Sequence, residues 1–311
     1  MFSILIPTFN RSDVLAQTLT GYLHQSAPYL IRELVVVDDG SSPEHKEKNQ
    51  SAVREVAAAA PFAVKYLQQQ NAGPARARNN GIQAAIGRIV LITGDDIVPH
   101  ANLVKEHFFS HRKHDLAENI CVLGHTKWPG ELRITPFMVY IHEMGLQFGY
   151  SIIQNPDDVP FNFFYTSNVS IHREYLLADR LFDTDFPHAA WEDIELAYRL
   201  QKRGMRMIFN KDACAFHHHP ISFASFRKRQ ERSGYAAYIF YQKHPELGAF
   251  LGLGRLQSKP LSRRLAMRAL EAACLLADTS GLRIDPKHYE TVLDHYYLMG
   301  MMRHLQTQKA G

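Results

Sequence analysis

The sequence predicts an α/β fold: a mostly parallel central sheet flanked by helices, followed by a C-terminal helical extension. Three observations carry this. Short apolar runs alternate with helix-like stretches from the N-terminus onward, the pattern of a parallel sheet with right-handed crossovers. Two of those runs end in adjacent aspartates, Asp38-Asp39 and Asp95-Asp96. Acids at strand ends sit on the edge where open α/β sheets take ligands. From about Ser222 the composition turns basic and aromatic and then helical, which sets an expected boundary between one domain over 1–222 and an extension over 223–311.

Residues 2–7, FSILIP, read as the first strand, stopped by Pro7. Thr8-Phe9-Asn10-Arg11 is a loop, and Ser12 or Asp13 is expected to cap a helix running to about His24. Residues 33–37 form a second strand, 44–60 a helix closed by Pro61, and 64–67 a third strand. Gly73-Pro74 turns the chain into an Arg-rich helix over 75–86. Arg76 and Arg78 lie near its N-terminus, where the backbone favours anions. Their spacing of two puts them on different faces, so at most one points into a site. Residues 89–92, IVLI, form a buried strand that delivers Asp95 and Asp96. Adjacent acids repel unless a cation lies between them or one is protonated. A hard divalent cation holding a diphosphate suits them. The alternative is that either acid caps a helix starting near His100.

A helix over 100–114 and a strand over 121–126 follow. Residues 128–162 are rich in Pro, Gly and aromatics and read as an excursion that could line a pocket. Residues 165–171, YTSNVSI, alternate as a half-buried strand does. A helix opens at Trp191-Glu192-Asp193 and stops at Gly204; its first-turn acids suit the helix dipole, which is also their bland reading. Residues 205–209 and 213–216 are strand-like and lead into His217-His218-His219-Pro220. In an extended chain His217 and His219 share a face and can offer imidazoles to a metal; surface decoration is the alternative. The basic-aromatic stretch over 223–243 either lies on an anionic membrane surface or packs as a helix with a solvated basic face. Helical stretches over 262–278 and 286–306 complete the chain.

The 311 residues are 46% apolar, with a formal net charge of +4. That balance is globular and does not call for a nucleic-acid partner. Three scattered cysteines predict reduced thiols and a cytoplasmic setting. The start of the chain lacks the pattern of a signal peptide, and no apolar run reaches the length of a membrane span. The sequon Asn168-Val169-Ser170 carries no meaning in such a setting. No G-x-G-x-x-G follows the first strand, which speaks against a dinucleotide oxidoreductase.

The motifs ILIPTFNR, VVVDDGSS, the Gly73–Gly81 block, GDDI, TSNVS, WEDIELAYRL and FHHHP occur in one order over roughly residues 1–230. In that order they resemble the family 2 glycosyltransferases of the GT-A fold, a Rossmann-like architecture. The resemblance implies an inverting transfer of a sugar from a nucleotide-diphosphate donor (UDP-, dTDP- or GDP-linked) to a hydroxyl of a glycan or lipid-linked acceptor. It implies Pro7, Thr8 and Arg11 near base or phosphates, Asp38 and Asp39 on the nucleotide, and Arg78 near ribose or diphosphate. The family's Asp-X-Asp motif falls on Thr93-Gly94-Asp95-Asp96, without the first acid. Asp96 is then the expected ligand of Mn2+ or Mg2+, with Asp95 on sugar or ribose, and His217 and His219 completing the metal site. Asn168 is expected to line the donor-sugar or acceptor pocket. Asp193 is the implied general base, and Glu192 the acceptor contact. A carboxylate activates a hydroxyl nucleophile as attack begins, and a metal neutralises the diphosphate leaving group. Location at the inner face of the membrane is a further expectation. The competing readings are a decayed scaffold that only binds nucleotide sugars, and a sugar nucleotidyltransferase, whose Gly-rich first loop is missing here.

Overall fold

The computed structural model describes residues 1–257 and 264–310. The chain forms two compact units, neither of them contiguous. The first takes residues 1–132, 150–184 and 192–219; the second takes 133–149, 185–191 and 220–311. A single cut at 222 therefore does not describe the division, because two earlier segments join the C-terminal helices.

In chain order the elements are β1 (Phe2–Thr8), α1 (Ser12–Leu23), β2 (Ile31–Asp38), α2 (Pro43–Ala59), β3 (Ala63–Gln68), α3 (Pro74–Ala84), β4 (Ile89–Thr93) and β5 (Ile97–Pro99). They continue with α4 (Leu103–Lys113), β6 (Ile120–Lys127), α5 (Pro136–Glu143), β7 (Asn168–His172), α6 (Arg173–Leu177), α7 (Glu192–Lys202) and β8 (Arg206–His217). The last helices are α8 (Phe223–Lys243), α9 (Arg264–Ser280) and α10 (Pro286–Ala310). Positions 262 and 263 of the expected 262–278 helix lie outside the described residues.

The first unit carries a sheet of order β3-β2-β1-β4-β7-β6-β8-β5. β3, β2, β1 and β4 are parallel, as the alternating pattern predicts. β7 runs antiparallel to β4 and β6, β8 runs parallel to β6, and the short β5 runs antiparallel to β8. The sheet is mixed but largely parallel, and β1, β2, β4 and β8 end on one edge. Phe2, Ile4, Ile6, Leu34, Val36 and Leu91 pack with Leu15, Leu19 and Tyr22 of α1 and with Val53 and Val56 of α2. Each such fully buried side chain contributes about 1.5–3 kcal/mol.

Three local expectations change. The segments over 205–209 and 213–216 are halves of the single strand β8, separated by a register shift against β6 after Gly124. Arg11, not Ser12 or Asp13, occupies the N-cap position of α1, and no side chain caps that end; Ser12 Oγ instead meets His45 Nδ1 at 2.9 Å. Asp95 and Asp96 cap no helix: β5 follows them, and α4 starts only at Leu103 with Asn102 before it.

The second unit is helical. Phe137 of α5 stacks edge-on with Phe223 and Phe226 of α8 and with Tyr289 of α10, at ring separations of 5.4, 5.6 and 5.1 Å. α8 and α10 cross so closely that a Cβ on Gly234 would lie 1.8 Å from Tyr297 O, and one on Gly300 would lie 1.9 Å from Glu231 O. Only glycine fits either position. Phe226 and Phe240 of α8 are buried. Arg227 pairs with Glu271, and Lys243 with Asp185 at 2.6 Å. Among the described residues no helix is long and apolar enough to cross a membrane.

Candidate active site

The edge where β1, β4 and β8 end gathers the acids. β4 delivers Asp95 and Asp96 at 4% and 8% exposure. Thr8 Oγ1, at the end of β1, donates to Asp95 Oδ2 at 2.8 Å. Thr18 Oγ1 of α1 holds the Asp95 carbonyl at 2.8 Å. The Arg11 guanidinium bridges both acids, Nη1 to Asp95 Oδ1 at 3.0 Å and Nη2 to Asp96 Oδ2 at 2.5 Å. His217, at the end of β8 and in register with Ile97, places Nε2 3.2 Å from Asp96 Oδ2. His218 N donates to the Asp96 carbonyl. Pro7 is half-buried at the end of β1, opposite Val37.

The two acids are electrostatically unequal. Burial pushes the Asp95 carboxyl up to about 6, with Arg11 opposing and Asp96 adding to the rise. Burial also works against charge on Asp96, but the hydrogen bond and charge of His217, then those of Arg11, outweigh it and hold Asp96 well below the usual carboxylate range. Asp96 is the firmly ionised member of the pair.

Asp38 and Asp39 are braces. Asp38 accepts from Asn49 Nδ2 at 2.9 Å, Ser41 N at 2.7 Å and the Tyr66 hydroxyl. Asp39 accepts from Gln69 Nε2, Asn71 Nδ2, Ala72 N and Gly73 N, between 2.6 and 3.2 Å. These four donors use both carboxylate oxygens and pin the turn that starts α3. Gly40, with φ 80°, lets that turn approach: a Cβ there would lie 2.5 Å from Asn71 N. Both acids, expected on the nucleotide, are thus held in place by the protein's own donors.

Arg78 does not lie free for a ribose or diphosphate. Its Nη1 pairs with Glu192 Oε1 at 2.6 Å, and both side chains are buried. The guanidinium lies 5.3 Å from the centre of the Phe182 ring. Asn79 grips the Phe182 backbone through both amide groups, at 2.8 and 2.9 Å. Arg199 of α7 clamps the preceding loop by donating to Asp179, Arg180 O and Leu181 O, while its Nε pairs with Glu195. Next to Glu192, half-buried Asp193 accepts from Ile194 N at 2.9 Å and meets Thr166 Oγ1 at 3.5 Å. Burial, then the Glu192 charge, raises the Asp193 carboxyl, and Arg78 partly offsets this. Among the described residues Glu192 Oε2 and Arg78 Nε have no hydrogen-bond partner.

Asn168, expected to line the donor-sugar or acceptor pocket, is buried at the start of β7. It is 1% exposed and belongs to a buried polar chain between β7 and α4. Its Nδ2 donates to Ala213 O at 2.9 Å, so Oδ1 accepts from His107 Nε2 at 2.8 Å. His107 Nδ1 then accepts from Ser170 Oγ, which accepts from His111 Nε2. The polar alternation of TSNVS reads as a half-buried strand, but its polar face is buried on histidines that the sequence shows only as ordinary helix residues.

Thr18 and Phe182 carry no motif and are visible only in three dimensions, as is the clamp that Arg199, within WEDIELAYRL, makes on 179–181. The segment over 128–162 divides between the two units; its Tyr150 packs at 5.2 Å against Phe209 of β8.

Among the described residues no group of three or more His, Cys, Asp and Glu side chains is arranged to hold a metal ion. His219 is exposed, its ring 6.1 Å from that of His217. The protein therefore offers the firmly ionised carboxylate of Asp96, the Asp95 carboxylate beside it, and the imidazole of His217. That donor set fits a hard cation of the Mg2+ or Mn2+ type, which is commonly held by one or two protein groups with phosphate oxygens filling other positions. Two buried acids bridged by one guanidinium also mark a place that demands positive charge.

The model of glycosyl transferase family 2 matches residues 3–176. A chondroitin synthase of Escherichia coli is 27% identical over 273 residues, covering 78% of this chain and 38% of that protein. A validoxylamine A glucosyltransferase of Streptomyces hygroscopicus is 24% identical over 283 residues, covering 79% of this chain and 62% of that protein. The chain thus spans well under half the length of the first relative. In structure it is similar to a mannosyltransferase of Pyrobaculum calidifontis solved with GDP-Man and Mn2+, with a TM-score of 0.66 at 21% identity over 98% of this chain and 86% of the other. That likeness is one of fold.

Proposed function

This chain belongs to glycosyl transferase family 2, and from that premise we propose that it is an inverting glycosyltransferase acting on a nucleotide-diphosphate sugar. One observation carries the reading. A firmly ionised Asp96, bridged by Arg11 and touched by His217 at a strand-end edge, is suited to a cation and the diphosphate that accompanies it.

In this reading Asp96 and His217 would hold Mn2+ or Mg2+, which would supply charge neutralisation to a departing diphosphate. His219, with its ring 6.1 Å from that of His217, is the proposed further imidazole. Asp95 and Thr8 face ribose or sugar. Asp193 takes the proton of the acceptor hydroxyl while its oxygen forms the new bond to the anomeric carbon. The bond from that carbon to the diphosphate oxygen breaks, and the nucleoside diphosphate leaves. One carboxylate and one displacement give inversion. The raised pKa of Asp193 suits a base that must both accept and hold a proton near neutrality. Glu192, neutralised by Arg78, contributes its second oxygen to the acceptor.

The acceptor class proposed is a growing glycan or a lipid-linked glycan, since the first relative makes chondroitin. The donor nucleotide is drawn from UDP, GDP and dTDP. Contact with an anionic membrane surface through 223–243 is part of this reading, supported by the exposed Lys228 and Arg232 of α8.

The test is a thermal-shift screen of nucleotide diphosphates and nucleotide sugars with and without Mn2+, on wild type and Asp96→Ala. A ligand that binds the native state raises its apparent stability. A Mn2+-dependent shift with one nucleotide, lost in the variant, is expected. No shift with any nucleotide in folded protein would overturn the reading.

A further inference from the structure

Arg11 reaches the two acids from outside. Its side chain is 37% exposed, whereas those of Asp95 and Asp96 are 6% and 11% exposed. It stands just before α1, not on a strand, and its guanidinium pairs with Asp95 and Asp96. Thr8, Thr18 and His217, by contrast, hold the acids from packed strands and a helix. Arg11 Nη2 and His217 Nε2 share one oxygen, Asp96 Oδ2, at 2.5 and 3.2 Å. A divalent cation bound to that oxygen would set a second positive charge directly against Nη2. Metal and guanidinium therefore compete for the same place.

Charge decides when the exchange is favourable. Two carboxylates and Arg11 leave one negative charge. A divalent ion that took the place of Arg11 alone would neutralise the acids but leave the displaced guanidinium with no anion. A diphosphate supplies oxygens to both cations at once.

We infer that Arg11 is an internal counter-cation that occupies the metal position until a nucleotide diphosphate draws it away, so that metal and diphosphate bind cooperatively. This rests on the reading of the acids as the metal–diphosphate site. Arg11 is a positioning residue: it keeps two buried acids paired before the metal arrives, and turns to the diphosphate afterwards. Coupling is reciprocal, so metal tightens nucleotide by the factor by which nucleotide tightens metal.

The test is Mn2+ titration, followed by the electron paramagnetic resonance of free Mn2+, on the intact protein with and without UDP, GDP or dTDP. Wild type, Arg11→Met and Arg11→Lys are compared, with thermal midpoints recorded throughout. In wild type, a binding nucleotide is expected to tighten Mn2+ by about tenfold or more. In Arg11→Met, Mn2+ alone is expected to bind about tenfold tighter than in wild type and to raise the thermal midpoint more, and the coupling factor is expected to fall. Arg11→Lys, which keeps the charge and the fold, is expected to lie between. Unchanged or weaker binding of Mn2+ alone in both variants overturns the inference, as does wild-type binding of the two ligands without coupling. If none of the nucleotides binds, the sugar-transfer reading falls, while Mn2+ binding to the Arg11 variants still decides the role of Arg11.

Discussion

Arg78 and Glu192 form a buried ion pair 2.6 Å long between the second turn of α3 and the first turn of α7, 114 residues apart in sequence. It stands directly beside Asp193. With Glu192 neutralised, one acid of the Glu-Asp pair is left to take up a proton. Arg78→Met strands a buried carboxylate, which costs roughly 3–5 kcal/mol. Chemical denaturation is expected to show that loss, and the double variant with Glu192→Gln to recover part of it.

The same pair tunes the base. The Glu192 charge raises the Asp193 carboxyl and Arg78 lowers it. A base must be unprotonated to work, so the proposed activity falls as pH drops through the Asp193 pKa. In Glu192→Gln that acidic limb is expected to move to lower pH, and in Arg78→Met to higher pH. A pH–rate profile separates these opposite shifts, which a general loosening of the site would not produce.

Asp193→Asn is expected to lower kcat by about 10²–10⁴-fold, the range for loss of a general base. It is also expected to stabilise the fold. The folded pKa of Asp193 lies above its unfolded value, so the native state binds the extra proton and loses stability as pH rises through that window. The amide carries no charge to desolvate. Thermal midpoints at pH 8 should therefore be higher for the variant than for wild type.

The buried chain Asn168–His107–Ser170–His111 predicts acid lability. Burial pushes His107 down to about 4 and His111 well below its usual range. Both are neutral in the native state, while the unfolded chain takes up protons below about pH 6.5. Stability is then fully present above pH 6.5 and is lost as pH falls toward the folded values. For His107 alone the loss by pH 4 is about 3 kcal/mol. Urea midpoints should fall steeply from pH 6.5 to 4.5, less steeply in His107→Gln.

Periodicity and turn chemistry made the first four strands and their helices readable, because each is a local pattern. The Asp95-Asp96 pair was readable as a cation site for the same reason: adjacent like charges at a strand end need a partner wherever the chain goes. The partner's identity was not. Arg11, 84 and 85 residues earlier, reads only as a loop residue until β1 and β4 lie side by side. The braces on Asp38 and Asp39 were not legible, since Asn49 is brought in by α2, Tyr66 by β3, and Gln69 and Asn71 by the turn beyond it. Asn168 followed the same rule, its amide taken by β8 and α4. Phe182, which lies against Arg78, has no local signature, and Arg199, though inside WEDIELAYRL, does not show there which loop it clamps.

Sugar transfer at this site is tested most directly by incubating the protein with Mn2+ and UDP-, GDP- and dTDP-sugars in the presence of short glycan acceptors, and following nucleoside diphosphate and glycosylated product together for wild type and Asp193→Asn. Equal amounts of nucleoside diphosphate and inverted product from one donor, lost in the variant while the donor still binds, is the result expected. Donor binding without turnover across the panel, or release of pyrophosphate from a nucleoside triphosphate in its place, would contradict it.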